Sequence, residues 1–333
     1  MIKTAINKLS ENNNLELTEI REVFDEITSG LADETLISSF LTALHLKELT
    51  SDELAGAILS CRESIKKLNL TINNEKTVEN IFIDIPENIF DINVAVDLVC
   101  CACELGALRY SFETLSGYSN SFKILQLLQI PFRFENEDFV DFFEKNFFGY
   151  HLLSKNEPYF KYTYEIDRKM PFDSIFKTIN LMLNPYTTKN QVIGLKSKAD
   201  VEKMAQTCLK LNNANSIIIS GDNHPFVVGE TFVAEAWKNK IFTYNLSCDL
   251  IGLKNYTIDD LKVENNEHCA KIIMEIFENK RKDEYLDFVI ANSALSLYIA
   301  KKADSIMDAI NLAKKVINDG VVLQKIKYLK NNL

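Results

Sequence analysis

The sequence predicts an α/β protein: a small N-terminal all-helical domain, then a larger α/β domain whose central mixed or parallel sheet is surrounded by helices. Three observations carry this. The chain has 333 residues, more than one small core needs at about 150 residues per domain. Residues 1–68 show only helical periodicity. Beyond residue 80, strand-like runs alternate with helical ones, the pattern of a sheet with helices packed on it. The expected division is 1–68 helical, with helices returning from the middle of the chain, 69–80 connector, and 81–333 α/β.

Each element has its own signal. In LELTEIREVFDEITSG, Leu17, Ile20, Val23, Phe24 and Ile27 fall at helical spacing, and Gly30 stands at the C-cap. Asp33 is placed to cap ETLISSFLTALHLKE. Thr50 and Glu53 have capping-box spacing before LAGAILSCRESIKKL. A weaker helix precedes these three. The polar run NLTINNEKTVEN breaks the pattern. IFIDI (81–85) is the first strand-like run, and 92–108 reads as a buried helix leading to a short strand. FKILQLLQIPF follows, then the Phe- and acid-rich FRFENEDFVDFFEKNFFGYH. Its aromatics read as core under a helical surface, because a base-stacking platform would need basic residues between them. NQVIGL (190–195), SIIISGD (216–222) and KIFTYNL (240–246) are later strands, and ADVEKMAQTCLKLN a helix between them. NEHCAKIIMEIFENK, DFVIANSALSLYIAKKA and DSIMDAINLAKKVINDG close the chain as helices, the last with Asp304 as cap and Gly320 past its end. No internal repeat or low-complexity tract interrupts them.

Composition narrows the function classes. Hydrophobic residues make 47% and charged residues 25%, which excludes wholesale disorder and collagen-like or disulfide-scaffold proteins. Glycine is scarce: 10 in the whole chain, against about 7% in ordinary proteins. Few positions therefore suit a backbone wrapped around phosphate. The net charge of −10 disfavours nucleic acid and anionic membrane, and the Lys/Arg clusters are scattered. No run of 18 apolar residues suggests a membrane span, and the first residues lack a signal-peptide core. The expectation is a cytoplasmic protein with reduced thiols. Cys100, Cys101 and Cys103 lie in an apolar helical run and read as buried structure. Asp222 and His224 lack a third ligand and read as loop polar groups rather than a metal pair. His45 reads as packed or capping, His151 and His268 lack convergent acids at useful spacing, and Trp237 reads as packing.

Several strings, in order along the chain, resemble the anthranilate phosphoribosyltransferases, whose fold is also that of the pyrimidine nucleoside phosphorylases. EIREVFDEITSGLADETLISSFLTALHLKELTSDELAGAI is similar to that family's helical dimerisation segment. LMLNPYTTKNQVIGL resembles its L-x-N-P…Q-x-x-G run, and YNLSCDLIGLK the stretch around its F-G-L motif. DFVIANSALSLYIAKKADSIMDAINLAKKVINDG resembles its C-terminal N-A-A-x-x-L helix pair. The resemblance implies the two-domain fold and a homodimer through the helical domain. It also implies transfer of phosphoribosyl from phosphoribosyl pyrophosphate to the amine of anthranilate. In that reaction the leaving pyrophosphate is neutralised by backbone amides, a cationic side chain and magnesium.

Set against the family pattern, four pieces depart. Where a G-T-G-G-D loop and N-I-S-T follow the first strand, this chain has Pro86, Glu87, Asn88 and Ile89, then Phe90, Asp91, Ile92 and Asn93, without glycine. Where the family has K-H-G-N-R and a serine-rich turn, Arg109 stands for the lysine and Glu113 for the arginine. Ser116, Ser119 and Ser121 keep the hydroxyls, and Lys123 follows. The magnesium-holding Asp-Glu pair is replaced around Asp222. Asp167, with Arg168 beside it, stands where an arginine meets the anthranilate carboxylate, and Asp173 stands for a second arginine. The resulting expectation is a catalytically degenerate homologue that acts by binding or regulation, with no catalytic residue. Its residual anion-binding set is Arg109, Ser116, Ser119, Ser121, Lys123 and Arg168. No metal site or cofactor is expected. Magnesium enters only under the alternative, an active transferase with a remodelled site. Nucleic-acid binding is the third reading. The small-molecule ligand is left open.

Overall fold

The computed structural model describes the whole chain except residues 66, 69, 71–73, 84, 87, 113–119, 134–135, 154–157, 212–214 and 332–333. Four helices open it: α1 (Ile2–Ser10), α2 (Leu17–Thr28), α3 (Glu34–Lys47) and α4 (Ser51–Glu63). Their starts follow from side-chain caps. Asp33 accepts the Thr35 amide at 2.9 Å, and Thr50 and Glu53 close a reciprocal capping box. Ile20, Val23, Phe24 and Ile27 of α2 are fully buried, as one apolar stripe at helical spacing requires.

The α/β part runs β1 (Thr77–Phe82), α5 (Asn93–Ala102), β2 (Gly106–Phe112), α6 (Asn120–Leu127), α7 (Asn136–Asn146), β3 (Phe148–Leu153), α8 (Pro158–Lys169), α9 (Ile175–Leu181), β4 (Asn190–Gly194), α10 (Val201–Lys210) and β5 (Asn215–Gly221). Then come β6 (Glu230–Trp237), β7 (Lys240–Ser247), α11 (Asn266–Phe277), α12 (Glu284–Ile299), α13 (Ile306–Asn318) and α14 (Val321–Asn331). The seven strands form one sheet in the order β3-β2-β1-β4-β5-β6-β7. The first five are parallel, and β5-β6-β7 is an antiparallel meander. Helices α8 and α9 leave the sheet and join the bundle, with Phe176 edge-on to Phe24 at 5.7 Å. The sheet therefore lies between two apolar cores. One holds α5, α12 and α13. The other holds α10 and the bundle.

Three strands differ from the sequence expectation. β1 begins at Thr77, inside the polar run, instead of at Ile81. Thr77, Glu79 and Asn80 are all buried but hydrogen-bonded or paired, so the strand carries polar residues that hide its burial. β3 was hidden by His151, which stacks on Phe139 at 4.5 Å. β6 was hidden because Ala234 and Ala236 dilute its pattern. At the last helix pair, Ser305 rather than Asp304 caps α13, its hydroxyl accepting the Asp308 amide at 3.1 Å.

Glu79 is the least expected core residue. It is 2% exposed, and its carboxylate accepts from Gln191 Nε2 at 2.7 Å. Burial lifts its pKa from 4.5 to about 7, while the Gln191 bond and the charge of Arg62 pull the other way. A carboxyl raised in the folded state favours folding while protonated. That contribution is complete below the ordinary value of 4.5 and is lost as pH rises through about 7. The gap corresponds to on the order of 3 kcal/mol. Urea unfolding between about pH 5 and about pH 8 should show the parent losing stability. Glu79→Gln should flatten that slope and be the more stable protein at the alkaline end.

Candidate functional site

In an open α/β sheet, ligands enter the crevice outside the carboxyl ends of the strands where the strand order reverses. Here that point lies between β1 and β4, since β2 and β3 build to one side of β1 and β4 to β7 to the other. A cavity of about 470 Å³ opens at this place. Leu49, Leu54 and Thr178 line it from the bundle, and Ile83, Leu195 and Met204 from the α/β part. Its polar rim is Lys196, Ser197, Asp200, Lys203 and Asn223. Asp200 and Lys203 are paired at 2.6 Å. Lys196 has no ion partner among the described residues. His224 stands nearby, its pKa lowered chiefly by burial, with the Asp222 charge opposing and the Lys196 charge adding to the fall.

Beside the cavity, loops pack tightly against the strand ends. A Cβ on Gly194 would lie 1.9 Å from the Pro225 carbonyl oxygen. Gly229 has φ +54, and a Cβ there would lie 1.6 Å from Asp222 Oδ2. These glycines admit close packing of the 222–229 loop. The loop after β1 is equally committed. Phe90 N donates to Leu261 O at 2.9 Å and Val263 N to Asn88 O at 2.8 Å. Phe90 is fully buried, edge-on to Tyr285 at 5.5 Å and to Phe288 at 6.5 Å.

Arg109 projects from β2 beneath α5. Its Nε donates to Asp97 Oδ2 at 3.1 Å, and Tyr150 donates to the same oxygen at 2.7 Å. Asn80 Nδ2 donates to Asp97 Oδ1 at 2.9 Å, and Ser296 donates to Asn80 Oδ1 at 2.6 Å. Burial works against the Arg109 charge, but Asp97, Tyr150 and Asp91 together outweigh it and hold the guanidinium above its ordinary range. Its Nη2 is buried without a partner among the described residues. Ser121, at the start of α6, donates to Asp91 Oδ2 at 2.7 Å and accepts from Asn93 Nδ2 at 3.2 Å. Asp91 Oδ1 accepts the Asn93 amide at 3.0 Å. Burial raises the Asp91 carboxyl, opposed by the Ser121 bond and the Arg109 charge.

The expected anion-binding residues thus part company. Arg109 and Ser121 converge on the acids of the β1–α5 region. Lys123 is half-buried on α6. Arg168 is exposed on α8, paired with Glu165 at 2.8 Å. Ser116 and Ser119 lie outside the described residues. Asp167 accepts from Ser174, and Asp173 is paired with Lys177. Asp97, Lys196, Asp200 and Lys203 were not singled out from the sequence. For Asp97 the signal was a charge inside the apolar run AVDLVCCA. Cys100 and Cys101 are buried, and burial pushes Cys101 up to about 12, which suits structural thiols. Among the described residues no three His, Cys, Asp or Glu side chains converge as a metal-ligand group.

Comparison with known proteins bears on this geometry. Residues 3–65 match the helical bundle domain of the glycosyl transferase family, and residues 86–323 match its a/b domain. The anthranilate phosphoribosyltransferase of Acetivibrio thermocellus is 29% identical over 98% of this chain and 95% of its own. That of Vesicomyosocius okutanii is 26% identical over 98% and 96%. Among solved structures, the Thermus thermophilus enzyme superposes with a TM-score of 0.87 at 20% identity, covering 98% of both chains. The Saccharomyces cerevisiae enzyme, solved in complex with PRPP and Mg, has a TM-score of 0.84 at 17% identity over 99% and 97%. A further yeast structure is described with Mg bound. These magnesium complexes correct the expectation that no cofactor belongs to such a site.

Replacing Arg109 by Met should leave Asp97 buried without its cation and cost about 3–5 kcal/mol of stability. The double variant Arg109→Met/Asp97→Asn should recover part of that loss. Urea unfolding of the four proteins of this cycle measures both.

Proposed function

This chain belongs to the glycosyl transferase family of helical-bundle and a/b domains, as an anthranilate phosphoribosyltransferase-like member, and from that footing we propose that it binds a ligand in its cleft without transferring phosphoribosyl to anthranilate. The observation that carries this reading is the position of Arg109. It stands where the resemblance has a donor-binding lysine, yet its charge is engaged beneath α5 by Asp97, with Tyr150 on the same oxygen. A leaving diphosphate needs donors and cations aimed at the charge it develops. Here Asp91 adds a carboxyl beside that arginine, and Ser121 is bonded to it. On the acceptor side, a carboxylate needs a cation free to meet it. Asp167 holds Ser174, and Arg168 is turned to Glu165 at the surface.

The reading includes a homodimer through the bundle and a cytoplasmic location. Leu31 and Leu46 are 80% and 77% exposed, and a groove of about 620 Å³ runs between α1 and α3 past Leu9, Ala43 and Leu46. Exposed apolar surface of this kind suits association. The seven cysteines are all free, which suits a reducing compartment.

A second reading, an active transferase with a remodelled site, is favoured by the names and near-complete coverage of the relatives. Magnesium is commonly held by one or two carboxylates together with substrate phosphates. Asp222, exposed at the end of β5 beside Asn223, suits such a role. When bound, the ion would neutralise charge on a leaving diphosphate. Arg109, Ser121, Lys123 and Arg168 would then be the remaining polar handles for the donor and acceptor.

Calorimetric titration with phosphoribosyl pyrophosphate and magnesium separates the two. The first reading expects no saturation at micromolar donor and no product with anthranilate, whereas saturable micromolar binding with turnover establishes the second. Light scattering on the full chain tests the dimer. A dimeric parent that becomes monomeric in Leu46→Glu is expected, and a monomeric parent removes the dimer from the proposal.

A further inference from the structure

Residues 182–188 carry the chain from α9 in the bundle to β4 in the sheet, and their backbone is strained. Asn184 has φ 47 and Thr187 φ 54. Asparagine tolerates the left-handed region, but a β-branched threonine does not settle there unaided. A threonine in that region persists only where the surroundings over-determine it.

The surroundings come from four directions. From α4, Arg62 donates to the Met182 carbonyl through Nε at 2.9 Å and Nη2 at 2.7 Å. From β2, the buried Tyr110 hydroxyl accepts the amides of Leu183 at 3.0 Å and Asn184 at 3.3 Å. Leu68, in the stretch after α4, donates its amide to Pro185 O at 2.9 Å. From β3, His151 Nδ1 lies 3.0 Å from the Tyr186 hydroxyl. The Asn184 side chain closes the turn on Thr188, accepting its amide at 2.8 Å and donating to its carbonyl at 2.9 Å. Of the four, Arg62 belongs to the bundle, Tyr110 and His151 to the sheet and Leu68 to the stretch after α4, and all hold the same crossing.

We propose that Arg62 and Tyr110 form a latch that holds this connector in its strained form and so fixes the bundle against the sheet. The cavity walls follow from it: Leu54 and Thr178 move with the bundle, Ile83 and Leu195 with the sheet. Release frees Asn184, whose carbonyl accepts the Thr187 amide at 3.1 Å, and lets the cleft widen. The latch is independent of which ligand the cleft takes.

Hydrogen exchange on the full chain tests it. In the unmodified protein the amides of Leu183, Asn184 and Leu68 should open together as one group, before those of Ile217 and Ile219 in β5. Tyr110→Phe keeps the ring and removes the acceptor. It should lower protection at all three amides about tenfold, as losing a buried hydrogen bond worth about 1.4 kcal/mol implies, while β5 is unchanged. Arg62→Lys keeps the charge, removes the two-point donation and should act in the same direction. If Leu183 and Asn184 lose protection while Leu68 keeps it, the bonds are local and the latch is overturned. Unchanged protection at all three, or three unrelated opening rates in the unmodified protein, overturns it as well.

Discussion

The carboxylate of Asp97 ties one helix to three strands of the sheet. It sits on α5 and accepts from Asn80 on β1, Arg109 on β2 and Tyr150 on β3. Asn80 in turn accepts from Ser296 on α12. A buried charge costs several kcal/mol unless it is paired and its remaining lone pairs are satisfied. Asp97 meets both conditions only when three strands hold their register and two helices cover one face of the sheet. The network therefore specifies the β3-β2-β1 half of the fold, and it fixes where the Arg109 guanidinium can be.

That placement has a functional consequence. On the function proposed above, an arginine bonded to Asp97 under a helix serves as a structural cation, although its position along the chain matches a lysine of the resemblance. The same holds for Ser121, which is bonded to Asp91 and Asn93. The glycines follow the same logic. Gly194 and Gly229 admit the close approach of Pro225 and Asp222, and the stretch 83–92 after β1 contains none. Backbone freedom in this chain serves loop packing at the strand ends.

Much of the fold was legible in sequence because its signals are local. Strands β4 and β5 were announced by Val- and Ile-rich runs, β7 by the β-branched and aromatic run KIFTYNL, and α2 by its apolar stripe. The Thr50 and Glu53 box marked the start of α4. The first four residues of β1 and the whole of β3 were not legible. Their Glu79, Asn80 and His151 are buried beside Gln191, Asp97 and Phe139, partners that lie 112, 17 and 12 positions away. A polar residue reads as exposed until the group that satisfies it is known. Of the site, the residue types were legible, but their engagement was not: Arg109 and Ser121 looked available because Asp97 and Asp91 had no assigned place.

Sequence alone determined the family, the helical opening followed by an alternating sheet, and the absence of glycine after the first strand. These are written in periodicity, capping residues and ordered strings, each of which acts within a few positions. Tertiary structure alone decided which charges are engaged and which face the cleft. It also decided that the 182–188 crossing is held by Arg62 and Tyr110, from 120 and 73 positions away. Pairing energy depends on distance and burial in space, and neither can be read along a chain whose partners meet only after it has folded.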